Sequence, residues 1–489
     1  MKKLVALLLC LIMVLSLGTT ALAADGKSND IVILHTDDVH CGVSDGMGYA
    51  GVAAYKAEME QTHNYVALVD CGDAVQGGAI GTLSGGAYLV DIMNETGYDF
   101  ATFGNHEFDY KIPQLTKLTK QAKFKYLACN FKYLGKGTSD IAYKPYEIVD
   151  YGGTKVAYIG IATPESFVKS TPAYFQDANG NYIYSLYEDD DGSALYKAVQ
   201  NTVDEVKKAG ANYVIALAHL GNEGTTDRWS SKAVIANTTG IDAMLDGHDH
   251  LTLTTKVSNK DGKDVILSST GTKLNNLGKL TISADGKLHS ELISDLEIEK
   301  DAKTKEVVDK IVAEFQTLLN KVVAHTDVDL TTQNPEGTAR AIRNRETNLG
   351  DLCADAYRVT LGADIAIVNG GGIRADIPAG DITYNQIIKV HPYGNMACVV
   401  EATGQEILDA LEMASRNTMA EYVSESVDEN GNKVYNAVGE MGGFLQVSGL
   451  TYEIHTYIES SCTADENGLF TGVDGEYRVK NVKVAGEDL

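Results

Sequence analysis

Five short motifs in the first half of the chain contain histidine, aspartate and asparagine residues of the kind that bind divalent metal ions. The central motif is Gly104–Asp109, Gly-Asn-His-Glu-Phe-Asp, which places an amide, an imidazole and two carboxylates within six residues. The other four contain, in chain order, Asp38 and His40; Asp73; His219; and His248 and His250. Oxygen and imidazole ligands without thiolates suit Mn, Zn, Fe or Co better than a structural zinc site. The sequence therefore predicts a divalent metal centre.

Each motif directly follows an apolar run that is typical of a short β-strand. The predicted strands cover residues 31–35, 65–69, 98–103, 213–218 and 241–245. Because neighbouring parallel strands lie about 4.8 Å apart, residues at their carboxyl ends crowd one edge of a sheet. By itself, Gly104–Asp109 could also be a turn that caps a helix. Five such strand ends favour the metal centre.

A carboxylate shared between two ions would make this centre binuclear. In such a centre a bound hydroxide attacks phosphorus in line while the ions neutralise the phosphoryl oxygens. The ions would also supply the positive charge that an anionic substrate needs, because the chain itself has a formal charge of −26. The same charge argues against nucleic acid or an anionic membrane surface as a partner.

The rest of the chain indicates a second half with its own fold. A length of 489 residues predicts two domains. Apolar residues recur at helical spacing over 301–323, which predicts a connecting helix. Residues 264–298 before it alternate like antiparallel strands, and the second half has the pattern of a helix over 348–360 and of strands over 364–368 and 397–401.

The first 24 residues have the features of a secretory signal peptide. Lys2 and Lys3 precede the apolar run 4–17, and Ala21–Ala23 is a small-x-small cleavage site. We therefore expect an exported protein, secreted or held in the cell envelope, and no later stretch is long and apolar enough to span a bilayer. The six remaining cysteines are scattered, which is typical of small buried residues, although a pair between Cys41 and Cys71 stays open.

At this point the order of the motifs resembles the 5′-nucleotidase family of binuclear metallophosphoesterases, from about Asp30 to the end of the chain. The resemblance implies an α/β protein with a metallophosphoesterase-like α/β/β/α sandwich at 25–300. A connector helix would follow at 301–323, and a smaller α/β 5′-nucleotidase C-terminal domain at 324–489. That last domain looks cut short, since the chain stops at Leu489 before the second aromatic residue and the Gly-Gly-Asp-Gly stretch that the family leads us to expect.

The resemblance also implies roles for the motif residues around two divalent ions such as Mn, Zn or Co. The implied ligands are Asp38, His40 and His250 for one ion, Asn105, His219 and His248 for the other, and Asp73 for both. His106 would stabilise the transition state or protonate the leaving group, and Asp109 would orient its imidazole. This chain has Asp37 where family members have asparagine, which adds a negative charge beside the ions.

Two stretches of the second half resemble the family's substrate-recognition motifs. They are Arg343–Gly350 and the Gly-rich loop Asn369–Arg374, which alone could be a simple tight turn. Two arginines beside Gly-rich backbone suit phosphate or carboxylate-like groups. The implied nucleotide contacts are Arg343, Asn369, Gly371 and Arg374, with Tyr393 stacking on the base in place of the usual phenylalanine.

These observations predict an exported hydrolase that releases phosphate from nucleoside 5′-monophosphates through a metal-bound hydroxide. Two alternatives stay open. The same centre could serve a 2′,3′-cyclic nucleotide phosphodiesterase or a UDP-sugar pyrophosphatase. A surface protein that binds a partner and retains the fold is a non-enzymatic alternative, although a binding protein has no need for the complete set of metal-ligand residues.

Overall fold

The computed structural model describes residues 26–489 except 223–225, 295–298, 336, 338, 394, 396, 419–422, 428–432, 436–440 and 465–469. The expected signal peptide, residues 1–24, lies outside the described residues. The chain divides into two compact units: Met1–Gln76 with Gly85–Asp309, and Gly77–Ser84 with Lys310–Leu489.

The first unit alternates strands and helices for most of its length. Its strands are β1 (Ser28–Thr36), β2 (His63–Asp70), β3 (Phe100–Thr102), β4 (Lys125–Leu127), β5 (Lys132–Tyr133), β6 (Tyr143–Lys144), β7 (Tyr146–Tyr151), β8 (Thr154–Ala162), β9 (Tyr184–Ser185), β10 (Tyr213–His219), β11 (Ala243–Leu245), β12 (Thr252–Ser258), β13 (Asp264–Thr270), β14 (Asn276–Ile282) and β15 (Leu288–Ser294). The helices from the start of the chain to the end of this unit are α1 (Gly48–Thr62), α2 (Ala79–Ser84, grouped with the second unit), α3 (Ala87–Thr96), α4 (Lys111–Gln121), α5 (Ser166–Lys169), α6 (Ser193–Lys208), α7 (Ser231–Asn237) and α8 (Ala302–Leu319).

Two mixed sheets form the body of this unit. The first has the order β15-β14-β1-β2-β3-β4-β6 and the second the order β12-β13-β11-β10-β8-β7. The central strands β1 to β4 run parallel in the first sheet, as do β8, β10, β11 and β13 in the second. Parallel strands bury both faces, which explains why these segments read as nearly continuous apolar runs.

The alternation of side chains along the strands separates two cores. Ile33, Val69, Tyr158 and Leu217 belong to one cluster contributed by both sheets, so it is the filling of a sandwich. The alternate residues of the second sheet, such as Ile159 and Ala216, pack instead with apolar residues of α6 and α7. This arrangement is the α/β/β/α sandwich that the resemblance implies.

The second unit is a smaller α/β assembly. Its strands are β16 (Val322–Thr326), β17 (Ala366–Asn369), β18 (Gly380–Thr383), β19 (Val423–Val427), β20 (Lys433–Tyr435), β21 (Leu445–Ser448), β22 (Leu450–Ile454), β23 (Cys462–Ala464), β24 (Phe470–Val473), β25 (Val479–Val484) and β26 (Glu487–Asp488). Its further helices are α9 (Asn348–Leu361), α10 (Tyr384–Val390) and α11 (Gly404–Ser415). β17 pairs with β21, β16 with β18, and β22 with β25.

The structure differs from the sequence expectations at three places. The predicted helix over 301–323 ends at Leu319, and the β-branched pair Val322 and Val323 begins β16, which pairs with β18. Residues 264–298 are not one hairpin series, because β13 belongs to the second sheet and β14 to the first. Residues 397–401, expected as a strand, are described without one, and Val400 is 74% exposed.

Candidate active site

The carboxyl ends of strands from both sheets supply the predicted metal ligands. In the first sheet the neighbours β1, β2 and β3 lead into the loops with Asp38 and His40, Asp73, and Asn105 and His106. In the second sheet β10 ends at His219, and β11 leads to His248 and His250. The expectation from sequence placed these residues at one sheet edge, whereas the structure brings them together from two.

Asp38 lies among imidazoles. Its Oδ1 is 3.7 Å from His40 Nε2, 3.6 Å from His250 Nε2 and 3.9 Å from His219 Nε2. Its Oδ2 accepts a hydrogen bond of 2.8 Å from the main-chain N–H of His248. The carboxylate is thus held by one oxygen, while the other faces three imidazole nitrogens.

Asp73 is arranged in the same way. Its Oδ1 accepts a 2.8 Å hydrogen bond from the main-chain N–H of His106. Its Oδ2 is 3.1 Å from His219 Nε2 and 3.9 Å from His40 Nε2. Three groups of side chains lie close enough together to hold a cation: Asp73 with His219 and His248, Asp73 with His40 and His106, and Asp38 with His40 and His250. Asp73 belongs to two of these groups. A shared carboxylate of this kind is what a binuclear site requires.

Hydrogen bonds fix which imidazole nitrogens face the centre. The Nδ1 of His219 lies 2.7 Å from the Cys71 carbonyl, and the Nδ1 of His40 lies 3.0 Å from the Gln76 carbonyl. Because a carbonyl only accepts, each Nδ1 holds a proton, and in the neutral ring each Nε2 is the lone-pair donor. His40 Nε2 also lies 2.9 Å from His250 Nε2.

These residues fit a pair of divalent ions. Metal–ligand bonds of 2.0–2.2 Å allow two ligand atoms of one ion to lie up to about 4.4 Å apart, and the contacts of Asp38 and Asp73 fall within that limit. Three buried atoms, Asp38 Oδ1, Asn105 Oδ1 and His219 Nε2, have no hydrogen-bond partner among the described residues. Buried polar atoms are normally paired, so these three atoms suit metal ligation.

The backbone of the ligand loops adopts conformations that side chains rarely take. Asp38, His40, Asp73, His248 and His250 all have positive φ, from 45° to 89°. Such residues cost of order 1–3 kcal/mol each and cluster at functional sites. The central motif needs glycine at its first position for a steric reason, since a Cβ on Gly104 would lie 2.1 Å from Asp73 Oδ1.

Burial shapes the electrostatics of the centre. It raises the pKa of Asp38 well above its usual value, aided by the negative charges of Asp37 and Asp73 and opposed by His219. Burial also lowers the pKa of His40 to about 4, so this imidazole is neutral at pH 7. A neutral imidazole can bind a cation, and a cation would offset the cost of the buried carboxylates.

Glu107 ties two ligand loops together. Its carboxylate accepts hydrogen bonds from the main-chain N–H groups of Asp73, Ala74 and Gly104, at 2.8, 3.0 and 2.6 Å. The side chain is 2% exposed. Sequence reasoning gave this residue no role, although it lies within the central motif.

His106 and Asp109 form a hydrogen-bonded pair at the rim of the centre. His106 Nδ1 lies 2.6 Å from Asp109 Oδ2, and the hydroxyl of Ser170 donates to Asp109 Oδ1 at 2.8 Å. Burial lowers the pKa of His106, but the negative charges of Asp73 and Asp109 outweigh it and raise the pKa to about 9. Without bound cations, the imidazole therefore holds a proton at neutral pH.

The predicted substrate residues lie in loops of the second unit. The segment Met441–Gly442 contacts both predicted substrate motifs. The Met441 N–H donates to the Arg343 carbonyl. The Gly442 carbonyl accepts from Asn369 Nδ2 and from the Gly371 N–H. Of the predicted contacts, Asn369 and Tyr393 line a cavity of about 1020 Å³, whereas Arg343, Gly371 and Arg374 are not among its lining residues.

Arg374 and Tyr393 lie near each other in the same unit. The Arg374 guanidinium donates to the Gly371 carbonyl at 3.3 Å, and its Cζ is 5.9 Å from the centre of the Tyr393 ring. An exposed arginine next to an exposed aromatic face offers a cation and a stacking surface side by side.

Comparison with known families identifies both halves. The family model "Calcineurin-like phosphoesterase" matches residues 31–251. The model "5′-nucleotidase, C-terminal domain" matches residues 322–489. The chain belongs to the 5′-nucleotidase family of metallophosphoesterases. It is therefore a metal-dependent hydrolase of phosphate esters that uses two divalent ions.

Individual relatives support this assignment. The chain is 28% identical over 471 residues to the trifunctional nucleotide phosphoesterase protein YfkN of Bacillus subtilis, covering 86% of this chain and 29% of YfkN. It is 28% identical over 481 residues to the snake venom 5′-nucleotidase of Gloydius brevicauda, covering 88% and 74%. The crystal structure of a 5′-nucleotidase precursor from Thermus thermophilus superimposes with a TM-score of 0.59 at 26% identity, covering 91% and 87%.

Two further observations concern this family member as a whole. In the ranges that the structure describes, no helix combines the length and the apolar character needed to cross a membrane. Among the described residues, none of the six cysteines forms a disulfide, and Cys41 and Cys71 are not bonded to each other. The sequence analysis missed Glu165, Ser170 and Gln446, which lie outside the motifs and act through hydrogen bonds to residues far away in the chain.

Proposed function

We propose that this phosphoesterase hydrolyses nucleoside 5′-monophosphates to nucleoside and phosphate. The observation that carries the proposal is the position of the Asp73 carboxylate, whose Oδ2 lies 3.1 Å from His219 Nε2 and 3.9 Å from His40 Nε2, so that it reaches a proposed ligand of each ion. In the proposed site Asp38, His40 and His250 would hold one ion, Asn105, His219 and His248 would hold the other, and Asp73 would serve both.

The reaction transfers a phosphoryl group from the 5′ oxygen to water. A new P–O bond forms to the water oxygen as the water gives up a proton to the solvent, the bond to the 5′ oxygen breaks, and the leaving alkoxide takes up a proton, so that a nucleoside and hydrogen phosphate result. When bound, the two ions neutralise the phosphoryl oxygens and lower the pKa of the attacking water. The buried loops around Asp38 and Asp73 hold the ligands in position before the substrate arrives.

His106 is the proposed proton donor to the leaving oxygen. Asp109 accepts from Nδ1, which leaves Nε2 as the ring's other proton-bearing atom. Asp109 itself is held by Ser170, so the imidazole is oriented by a chain of two hydrogen bonds. Stabilisation of the transition state by the same imidazole is the alternative role.

In this proposal the second unit recognises the nucleotide. Arg343 and Arg374, with Asn369 and Gly371, would bind the nucleotide, and Tyr393 would stack on the base.

We also propose the domain limits 25–300 for catalysis, 301–323 for the connector and 324–489 for specificity, with 1–24 as a cleaved export signal. Sequencing the amino terminus of protein collected outside the cytoplasm tests the signal: a start near Ala24 is expected, and an intact Met1 would contradict it.

Hydrolysis by the metal-reconstituted chain tests the proposal. Phosphate release is measured from AMP and from p-nitrophenyl phosphate for the wild type, His106→Ala and the control His289→Ala, whose side chain is exposed on β15. General acid catalysis contributes about 10²–10⁴-fold. We therefore expect His106→Ala to lose activity in that range on AMP and much less on p-nitrophenyl phosphate, whose phenolate leaves without a proton.

Each other outcome has a clear meaning. Equal losses on both esters would assign transition-state stabilisation rather than proton donation to His106. Turnover of p-nitrophenyl phosphate alone would contradict the nucleotidase proposal while leaving the phosphoesterase intact. The relative YfkN is named a trifunctional nucleotide phosphoesterase, so 2′,3′-cyclic AMP and UDP-glucose are assayed in parallel. Faster turnover of either would favour the diesterase or pyrophosphatase alternative.

A further inference from the structure

A short segment between β8 and α6 reaches the metal centre without being part of any ligand motif. β8 ends at Ala162, and the chain then turns through Thr163 into the single-turn helix α5. Glu165, at the start of this turn, is 2% exposed, and its Oε2 lies 2.9 Å from His248 Nε2. The two residues are 83 positions apart in the chain.

This contact decides which nitrogen of His248 is available to a cation. A carboxylate accepts a hydrogen bond, so Nε2 holds the proton and the neutral ring keeps its lone pair on Nδ1. One ring nitrogen of His248 lies within 4.8 Å of ligand atoms of Asp73 and His219. The rings of His40 and His219 are fixed by main-chain carbonyls instead. A carboxylate partner also makes the ligating imidazole more basic, which strengthens its bond to the metal.

The carboxylate of Glu165 is not needed to build its own turn. Among the residues that the structure places, no side-chain hydrogen bond caps α5. The main-chain N–H of Glu165 donates to Thr163 Oγ1 at 3.1 Å, and its carbonyl accepts from Val168 and Lys169. The backbone is thus held locally, and the buried carboxylate is hydrogen-bonded to His248.

We propose that Glu165 is a positioning residue for the metal centre. It fixes the tautomer and the ring orientation of His248, and it thereby strengthens the cation position formed by Asp73, His219 and His248. This inference rests on the ligand role proposed above for His248 and deepens it. It assigns a function to a residue outside the ligand set, on the strand-to-helix turn after β8.

Metal binding by the full-length, metal-free protein tests the inference without using activity. Co²⁺ is titrated calorimetrically into the wild type, Glu165→Gln, Glu165→Ala and the control Val168→Ala, which alters the same short helix at a side chain that is 75% exposed. Loss of such a partner costs about 10–100-fold in metal affinity. We expect one of the two sites to weaken by about tenfold or more in Glu165→Gln, further in Glu165→Ala, and not at all in Val168→Ala.

A second readout separates positioning from general damage. Hydrolysis of p-nitrophenyl phosphate by Glu165→Gln is expected to return toward the wild-type rate as Co²⁺ is raised, because only site occupancy is impaired. If Glu165→Ala fails to fold, the near-isosteric Glu165→Gln decides. Two unchanged sites in Glu165→Gln would overturn the inference, and so would a weakened site that excess Co²⁺ cannot rescue.

The test also distinguishes this inference from the proposed function. A wild type that binds two ions but does not hydrolyse AMP would contradict the nucleotidase proposal and leave the Glu165 result valid. A wild type with a single Co²⁺ site would overturn both the ligand assignment and the role of Glu165.

Discussion

The proposed metal centre and the proposed nucleotide-recognition loops are held in different ways. Asp38 and His219 at the centre are fully buried, whereas Tyr393 in the second unit is 48% exposed and Arg374 is also exposed. At the centre Asp38, His40, Asp73, His219 and His248 each have a hydrogen bond that fixes the side chain. Arg374 and Tyr393 have a single long hydrogen bond and a 5.9 Å ring contact.

This difference indicates which variants should change stability and which should change nucleotide affinity. The centre accumulates buried carboxylates and residues with positive φ, costs that a bound cation offsets, so metal binding and folding are linked there. The side chains of Arg374 and Tyr393 are exposed, so substituting them costs little stability. Variants of the centre should change metal content, stability and turnover together, while variants of the loops should change nucleotide affinity alone.

Metal removal should give the largest effect and tests the first half of the comparison. Chelation is expected to abolish hydrolysis of AMP and p-nitrophenyl phosphate. An ion held at a hundred times its dissociation constant stabilises by about 2.7 kcal/mol, which corresponds to a fall in melting temperature of about 5–10 °C. Calorimetry with and without chelator, followed by readdition of Mn²⁺ or Co²⁺, measures both changes.

Asp73→Asn is the matched control for that measurement. Because this substitution removes the shared carboxylate, its melting temperature should respond weakly to chelator. A wild-type melting temperature that does not change on chelation would break the proposed link between folding and metal binding.

Arg374→Ala should show the next largest effect, confined to nucleotide binding. A hydrogen bond to a charged group is worth about 1.5–3 kcal/mol, so the KM for AMP is expected to rise at least about tenfold. The kcat for p-nitrophenyl phosphate and the bound metal should stay within twofold of the wild type. Steady-state kinetics on both esters measure the change.

Arg416→Ala is the control for this prediction, because its guanidinium donates to the Met413 carbonyl of its own helix. An equal rise in KM for the two arginine variants would point to a general charge effect. A fall in kcat on p-nitrophenyl phosphate would show that the loops and the centre are not independent.

The same contrast explains what the sequence could predict. Ligands such as Asp38 and His219 stand at the ends of apolar runs, so the period of the strands reveals their position. Glu165 and Ser170 follow a strand too, but their partners His248 and Asp109 are 83 and 61 residues away. A hydrogen bond between distant segments leaves no local pattern, and only the folded sandwich brings them together.

Pairing with a partner strand also decided the secondary structure of two segments whose local sequence pattern does not predict a strand. Val322 and Val323 continue the helical spacing of α8, yet they start β16 because β-branched residues fit an edge that pairs with β18. β12 (Thr252–Ser258) has no strong apolar alternation, and it forms because it pairs with β13 along seven residues. In both cases the segment becomes a strand because of its partner strand, and the local sequence does not show where that partner lies.

Tyr393 provides the finest test of the comparison, with the smallest expected effect. Stacking of a base on an aromatic ring is worth about 1–3 kcal/mol, and at this exposed ring we expect the lower end. Tyr393→Ala should then raise the KM for AMP about fivefold, while Tyr393→Phe, which keeps the π-face, should match the wild type. Tyr457→Ala, at a ring that is 81% exposed, is the control. Ribose 5-phosphate, which has no base, should show the same KM with all four proteins. A rise for that substrate in Tyr393→Ala would mean that the ring orders Arg374 instead of contacting the base.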